Sequence, residues 1–152
     1  ILGDTFEADE SLAALSQVQP AFGRGESFTI NGQPLELILV KNPSGFRISL
    51  ASQNDPNAAT MIAINDQYAD GRDMSWLWDV DFSKLSSVAM ISGVRAYDMA
   101  LRLETSGIDV GAVETDLTVA VDQFLTDRPM QIYATYTAML KIRKALKARR
   151  QA

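Results

Sequence analysis

Short apolar runs alternate with amphipathic segments along this chain, and this alternation constrains the fold more than any other feature of the sequence. Six segments are typical of strands: residues 27–30, 35–40, 60–64, 87–91, 108–113 and 130–134. Four segments are typical of helices: residues 43–53, 94–105, 114–125 and 138–150. At least four strand–helix alternations predict an α/β fold with a mostly parallel sheet. Asn31-Gly32 between the first two runs predicts a hairpin, and hence an antiparallel strand at one edge.

Composition excludes several classes of function. The 152 residues suit one domain, and the net charge of −5 argues against a nucleic-acid-binding protein. The chain has no Cys and no His, which removes thiol nucleophiles, Cys/His zinc sites and Ser-His-Asp triads. No apolar run is long enough to span a membrane, and no glycine-rich nucleotide motif is present. The basic residues of 138–150 indicate a solvated helix face, or alternatively a weak attraction to an anionic membrane or partner.

An acidic segment, residues 65–82, directly follows the apolar run 61–64 and is the main candidate for a site. It holds five aspartates and both tryptophans, Trp76 and Trp78. Open α/β sheets form their sites where strands lead into such loops. The aspartates suit general acid–base chemistry or Mg²⁺-assisted phosphate binding, but turns, helix caps and pairing with Arg72 are the commoner uses of such residues. Something should cover the tryptophans, because exposed aromatic surface beside charges is unfavourable.

Basic residues near other loops are candidates for anion contacts. Arg24 lies between two glycines, which indicates either a tight turn or an anion contact. Lys41 ends a strand just before a helix whose cap is Asn42, a position where an anion is favourable, although a solvated lysine is the alternative. Arg95 and Asp98 have the spacing of a pair along one helix face, as do Asp98 and Arg102.

Several long motifs in one order resemble the C-terminal domain of MurT proteins, from about residue 22 to residue 140. The central motif is N-D-x-x-A-D-G-R-D-x-S-W-L-W-D-V-D-F at residues 65–82. The others are F-G-R-G-E at 22–26, V-K-N-P-S-G-F at 40–46, S-G-x-R-A-x-D-M-A-L-R-L at 92–103 and T-Y-T-A-M-L at 135–140. The resemblance implies a three-layer, Rossmann-like domain of the Mur ligase C-terminal type.

The resemblance also implies a function shared with other parts of a larger assembly. MurT-like subunits bind ATP and Mg²⁺ mainly on a central domain, pair with a GatD-type glutaminase, and amidate the D-glutamate α-carboxylate of the lipid II stem peptide in the cytoplasm, at the inner face of the membrane. We therefore expect residues 1–22 to be an incoming segment and residues 23–152 to be the domain, with neither ATP nor metal bound by this domain alone. An isolated domain of this kind is expected to be inactive.

Site residues are carried over on the matching motifs. The family requires one aspartate in this domain, which we place at Asp66 or Asp70, with Asp73 behind them. The expected substrate- or phosphate-binding residues are Lys41, Asn42, Arg24 and Arg72, and Trp76 and Trp78 are the expected partner interface. Ordinary Mur ligases carry D-x-A-H-N-P where this chain reads Leu39-Val40-Lys41-Asn42-Pro43, so that acid–histidine pair is absent. The alternative function is a non-catalytic docking module for the glutaminase.

Overall fold

The computed structural model describes residues 24–53 and 55–150, except for the side chains of Arg24, Gln53 and Arg150. The strands are β1 (Arg24–Ile30), β2 (Gln33–Leu39), β3 (Ala59–Ala63), β4 (Ser87–Ser92), β5 (Asp109–Glu114) and β6 (Met130–Ala134). The helices are α1 (Pro43–Gln53), α2 (Ala96–Glu104), α3 (Leu117–Phe124) and α4 (Tyr136–Arg150), with short 3₁₀ helices at Tyr68–Asp70 and Ser75–Asp79. The predicted incoming segment, residues 1–22, lies outside the described residues.

A single six-stranded sheet forms the centre of the domain, in the order β1-β2-β6-β3-β4-β5. Among the strands that the structure describes, only β1 and β2 pair antiparallel, and the other neighbours are parallel. The turn between β1 and β2 has Asn31 at φ 52° and Gly32 at φ 77°, as a two-residue hairpin requires. The predicted α/β class, with its antiparallel edge hairpin, is therefore confirmed.

Two hydrophobic cores lie on opposite faces of the sheet. Helices α3 and α4 cover one face, and Met139, Ile142 and Leu146 of α4 are fully buried there. Helices α1 and α2 and the acidic segment cover the other face, where Phe46 packs edge-on against Phe82. Each helix buries one stripe against the sheet, which gives the three layers of an α/β domain. None of the described helices is long and apolar enough to cross a bilayer.

Two helices begin later than their hydrophobic patterns predict, because local polar contacts set their starts. Helix α3 begins at Leu117 rather than 114, since Glu114 still belongs to β5 and Asp116 caps the helix by accepting from the backbone N–H groups of Thr118 and Val119. Helix α2 begins at Ala96 rather than 94, after Gly93 with φ 95°.

Candidate functional site

The acidic segment begins at the carboxyl edge of the sheet, as its place after β3 predicts. The N–H of Ile64 donates to the carbonyl of Ser92 at the end of β4 at 2.9 Å. On the other side, the N–H of Thr135, just after β6, donates to the carbonyl of Ala63 at 3.1 Å. Three strand ends therefore meet where the segment starts, which is the location of ligand sites in open parallel sheets.

Asn65 joins these three strand ends through its backbone and its side chain. It is only 3% exposed, and its N–H donates to Thr135 Oγ1 at 2.8 Å. Its Nδ2 donates to Thr137 Oγ1 at 3.0 Å, and its Oδ1 accepts from the N–H of Val94 at 3.1 Å. A buried amide with this many partners fixes the relative position of the groups around it. No feature of the sequence alone had indicated a role for this residue.

Asp70 is buried and binds the first turn of α4. Its Oδ2 accepts from Thr137 Oγ1 at 2.6 Å and from the N–H of Gln67 at 2.9 Å. Its Oδ1 accepts from the N–H of Thr137 at 2.8 Å. A carboxylate at a helix N-terminus is stabilised by the unpaired N–H groups and the helix dipole there. Both oxygens of Asp70 are thus committed to holding α4 on the acidic segment.

Asp66 forms an ion pair with Arg95, which was not among the predicted site residues. Arg95 Nε donates to Asp66 Oδ2 at 2.9 Å, and Arg95 Nη1 donates to Asp98 Oδ2 at 3.1 Å. The hydrogen bonds to Asp98 and then to Asp66 raise the pKa of Arg95 above its usual value. The pair is partly shielded, since the Asp66 side chain is 16% exposed and the Arg95 side chain 42%.

The ion pair adds a cation to those that the sequence indicated, since Lys41, Arg24 and Arg72 were the basic residues expected to bind substrate or phosphate. Arg95 lies 29 residues beyond Asp66, and only the adjacency of β3 and β4 brings them together. The S-G-x-R spacing after β4 is the sequence signal for it, because it places an arginine at the start of a helix beside the carboxyl edge. The predicted Arg95–Asp98 pairing along α2 is confirmed.

Asp73 and Asp81 stabilise turns within the acidic segment. Asp73 Oδ1 accepts from the N–H of Ser75, and Asp81 Oδ1 accepts from the N–H of Ser83, each at 2.9 Å. These backbone N–H groups lower the pKa of both exposed carboxyl groups. The turn-forming use of aspartate that the sequence left open is therefore present at these two positions.

Arg102 partly covers Trp78 instead of pairing with Asp98. Its guanidinium donates to the carbonyls of Leu77 and Val80, at 3.2 and 2.7 Å, and lies 5.4 Å from the Trp78 ring centre. It thus satisfies carbonyls at the end of the second 3₁₀ helix while stacking on an aromatic ring. Trp76 packs against the core, but Trp78 remains 55% exposed.

A cavity of about 230 Å³ lies between the acidic segment and α2. Three arginines and two aspartates line it: Arg72, Arg95, Arg102, Asp73 and Asp98. It also has an apolar wall that includes Trp78 and Leu101. A cleft with several guanidinium groups on an apolar wall suits a ligand that carries negative charge.

Lys41 and Asn42 lie beside a different cavity, of about 390 Å³, next to α1. Asn42 Oδ1 accepts from the N–H of Gly45 at 2.7 Å, which confirms it as the cap of α1. Lys41 is exposed at the end of β2, as predicted. The side chain of Arg24 lies outside the described residues. The structure thus separates Lys41 and Asn42 from the cavity that Arg72 lines.

The described residues offer little that fits the ATP and Mg²⁺ implied by the resemblance. Within residues 24–53 and 55–150, no group of three or more metal-ligating side chains converges. The aspartates of the acidic segment point to separate partners, namely Arg95, Thr137, Ser75 and Ser83. The arginine-lined cavity is the feature that fits the charge of a phosphate or carboxylate.

A solved structure defines the class of fold. Folylpolyglutamate synthase from Thermotoga maritima superposes with a TM-score of 0.57 over 82% of this chain and 30% of its own, at 18% sequence identity. At that identity the likeness concerns the fold alone, which is the three-layer α/β arrangement described above. The sequence defines the family: residues 39–139 match the description MurT ligase C-terminal, and the chain belongs to that family.

Curated relatives support this assignment. The chain is 33% identical over 138 residues to the MurT subunit of lipid II isoglutaminyl synthase (glutamine-hydrolysing) from Streptococcus pneumoniae, covering 84% of this chain and 31% of that protein. The subunit of the same name from Staphylococcus aureus is 33% identical over 128 residues, covering 71% of this chain and 29% of its own. The chain thus spans less than a third of the length of these relatives, and the resemblance read from its motifs is confirmed.

Proposed function

We propose that this chain is the C-terminal domain of an amidotransferase subunit that, with a glutaminase partner, converts the D-glutamate of lipid II to D-isoglutamine in an ATP-dependent reaction. The observation that carries the proposal is the 33% identity, over 84% of this chain, to a lipid II isoglutaminyl synthase subunit. In this proposal ATP and Mg²⁺ bind mainly to a central domain outside this chain, and the isolated domain is inactive. The reaction takes place in the cytoplasm at the inner face of the membrane.

Within this function, Asp66 is the better candidate for contact with substrate than Asp70. Asp70 accepts three hydrogen bonds and holds α4, so it acts as a positioning residue. Asp66 Oδ2 binds Arg95, whereas its Oδ1 accepts no hydrogen bond from the described residues. We assign to Asp66 Oδ1 a contact with the reacting carboxyl group of the substrate or with the ammonia that attacks it. Arg95 fixes the orientation of the Asp66 carboxylate for this contact.

The arginines of the 230 Å³ cavity have a complementary role in the proposal. Activation of a carboxylate by phosphorylation spreads negative charge over several oxygens, and preorganised guanidinium groups stabilise that charge. Arg72 and Arg95 line the cavity, and Arg95 also binds Asp66. Asp73 accepts from the N–H of Ser75 and so stabilises the turn that follows Arg72. Lys41 and Asn42 face a separate cavity, so we assign Lys41 a contact with a more distant part of the bound substrate.

Binding of the glutaminase is the second candidate function of this domain, and its exposed apolar side chains favour this role. Trp78, Val94, Tyr97 and Leu101 are 55–70% exposed, and all four belong to the acidic segment or to α2 and the residues before it. Exposed aromatic residues of this kind are enriched at protein interfaces. Trp76 supports this surface from beneath. Docking and catalysis are compatible here, because the same segment carries Asp66.

Glutamine-dependent amidation of lipid II by the full-length protein with its glutaminase tests the proposal. Asp66→Asn should assemble normally and lose activity by about 10²- to 10⁴-fold, because the residue touches the reacting group. Asp109→Asn is the matched control, because Asp109 is an exposed aspartate at the start of β5. The start of this parallel strand lies at the side of the sheet opposite to the carboxyl ends of the strands, where Asp66 lies. Full activity of Asp66→Asn would contradict the catalytic assignment.

Complex formation, measured in parallel, separates the two candidate functions. If docking is the sole role, Trp78→Ser abolishes assembly and Asp66→Asn leaves the activity of the assembled complex intact. If catalysis is shared, Trp78→Ser weakens assembly while the remaining complex keeps its turnover. Absence of amidation by the wild-type pair would contradict the proposed function itself.

A further inference from the structure

Positive charge is concentrated in α4 to a degree that the proposed amidation site does not explain. Six of the 14 Lys and Arg residues of the chain lie between residues 141 and 150, leaving eight for the rest of the chain. None of the 19 acidic residues lies beyond residue 127. The protein is acidic overall, so α4 is a localised basic element on an otherwise acidic domain.

The contacts of α4 divide the five cations whose side chains the structure describes into two sets. Arg143 Nε donates to Glu26 Oε2 of β1 at 2.5 Å, and Arg149 binds Asp122 of α3. These two arginines attach the flanks of the helix to its neighbours. They also offset the negative charge of the two carboxylates that they bind, which leaves the lysines of the helix as its remaining described cations.

The second set consists of three lysines spaced three residues apart, Lys141, Lys144 and Lys147. All three are exposed, and Lys147 Nζ lies 3.9 Å from Glu26 Oε1. The backbone N–H groups of Val119 and Thr118, and to a smaller extent the charge of Lys141, lower the pKa of Asp116. Within the described part of the chain, Lys141 and Lys144 form no ion pair. Leu140 lies among them and is 36% exposed. The lysine face of α4, meaning these three lysines and Leu140, is thus a basic surface with an apolar centre.

We propose that the lysine face of α4 docks on an anionic lipid bilayer, an inference that rests on the proposed function because it supposes a lipid-linked substrate. Lysines on one helix face with an apolar residue between them match the interface of a membrane surface, and each adds attraction to anionic lipid. Acidic residues on the far side of the domain lie beyond a Debye length of about 8 Å and are largely screened. A nucleic acid is the less suitable partner, because residues 137–150 contain no aromatic side chain for base stacking.

This docking would place the candidate site near the membrane. Helix α4 begins at the carboxyl edge of the sheet, where Thr137 binds Asp70. Lys141 lies four residues further along, which is about 6 Å of helix. A peptide linked to a lipid in the bilayer beside α4 would therefore reach the acidic segment while its lipid remains in the membrane.

Sedimentation of the full-length protein and its glutaminase with lipid vesicles tests the inference. We expect binding to vesicles of equal parts phosphatidylglycerol and phosphatidylcholine, loss of this binding in high salt, and no binding to phosphatidylcholine alone. The triple variant Lys141→Gln, Lys144→Gln, Lys147→Gln should bind about a hundredfold more weakly, since each lysine contributes roughly fivefold. The control Arg47→Gln, Lys84→Gln, Arg128→Gln removes the same charge from exposed positions elsewhere and should bind within about threefold of wild type.

Three results would overturn the inference: equal binding to both vesicle types, equal losses in the two triple variants, or retention on homopolymeric RNA without binding to vesicles. Amidation of detergent-solubilised lipid II separates this inference from the proposed function. The lysine variant should retain full turnover in detergent and lose it on vesicles. Vesicle binding without any amidation by the wild-type pair would contradict the proposed function and leave the docking surface supported by the binding data.

Discussion

Gly93 controls how closely the start of α2 approaches the end of β3. Its φ is 95°, and a Cβ built on it would lie 2.4 Å from the carbonyl oxygen of Ile64 and 2.9 Å from Asn65 Oδ1. The same carbonyl accepts from the N–H of Arg95 at 2.9 Å. Any side chain at this position would therefore push Arg95 away from Asp66. The glycine is required by space as well as by backbone conformation.

Replacement of Gly93 by alanine should destabilise the domain by about 3 kcal/mol, because it combines left-handed strain with a backbone clash. Gly107→Ala is the matched control, since Gly107 has φ 73° and a Cβ added to it would have no atom within 4 Å, and it should cost about 1 kcal/mol. Urea unfolding measures both free energies. Equal costs would show that conformation alone, and not the contact with Ile64, sets the requirement.

At the scale of elements, Arg102 joins α2 to the acidic segment. It binds carbonyls at the end of the second 3₁₀ helix and lies between the rings of Trp78 and Phe82, 5.4 and 5.3 Å from their centres. A helix of five residues has little intrinsic stability, so its position depends on such contacts. The wall of the arginine-lined cavity is therefore held by α2.

Arg102→Ala should loosen the acidic segment while leaving the sheet intact. We expect a loss of about 2 kcal/mol in unfolding free energy, because the variant loses the charged hydrogen bonds to the carbonyls of Leu77 and Val80. Amide exchange of residues 77–80 should accelerate, and tryptophan fluorescence should shift to longer wavelength. Arg47→Ala, at an exposed position on α1, should change none of these. Unchanged exchange in the Arg102 variant would contradict the bridging role.

The elements themselves follow from local sequence patterns, whereas the site contacts do not. Asn31-Gly32 marks the hairpin and Asn42 caps α1, both through interactions within a few residues. Asp70 and Thr137, by contrast, are 67 residues apart and meet because β6 lies beside β3. The hydrophobic periodicity of the sequence carries no information about which parallel strands become neighbours in the sheet. The composition of residues 65–82 and their place after an apolar run located the acidic segment, but the partners of its aspartates required the strand order.

At the scale of the whole molecule, the sheet separates two cores that share few side chains. Phe46, which contacts Phe82 and Tyr133, belongs to one core, and Ile142 belongs to the other. Burial raises the pKa of Tyr133 far above its usual value, in keeping with its position at the centre of the apolar layer. Changes in the two cores should therefore act independently.

Phe46→Leu and Ile142→Val should destabilise the domain by about 1.5 and about 1 kcal/mol, and the double variant by their sum to within about 0.5 kcal/mol. The variants Phe46→Leu and Leu50→Ala, which share one core, form the comparison pair and should deviate from additivity. Chemical denaturation of all variants checks this. Strong coupling across the sheet would show that the two layers unfold through a shared packing network.

The central position of β6 has a consequence for how the chain acquires its structure during synthesis. Strand β6 pairs with β2 on one side and β3 on the other, yet it is the last strand of the sheet to be made. Until residue 134 is available, the β1–β2 hairpin and the β3–β4–β5 unit remain separate, each with an unpaired inner edge. Such edges recruit other strands, and pairings between distant residues form slowly. Domain assembly is therefore a late, single closing step, and the growing chain is most prone to aggregate just before it.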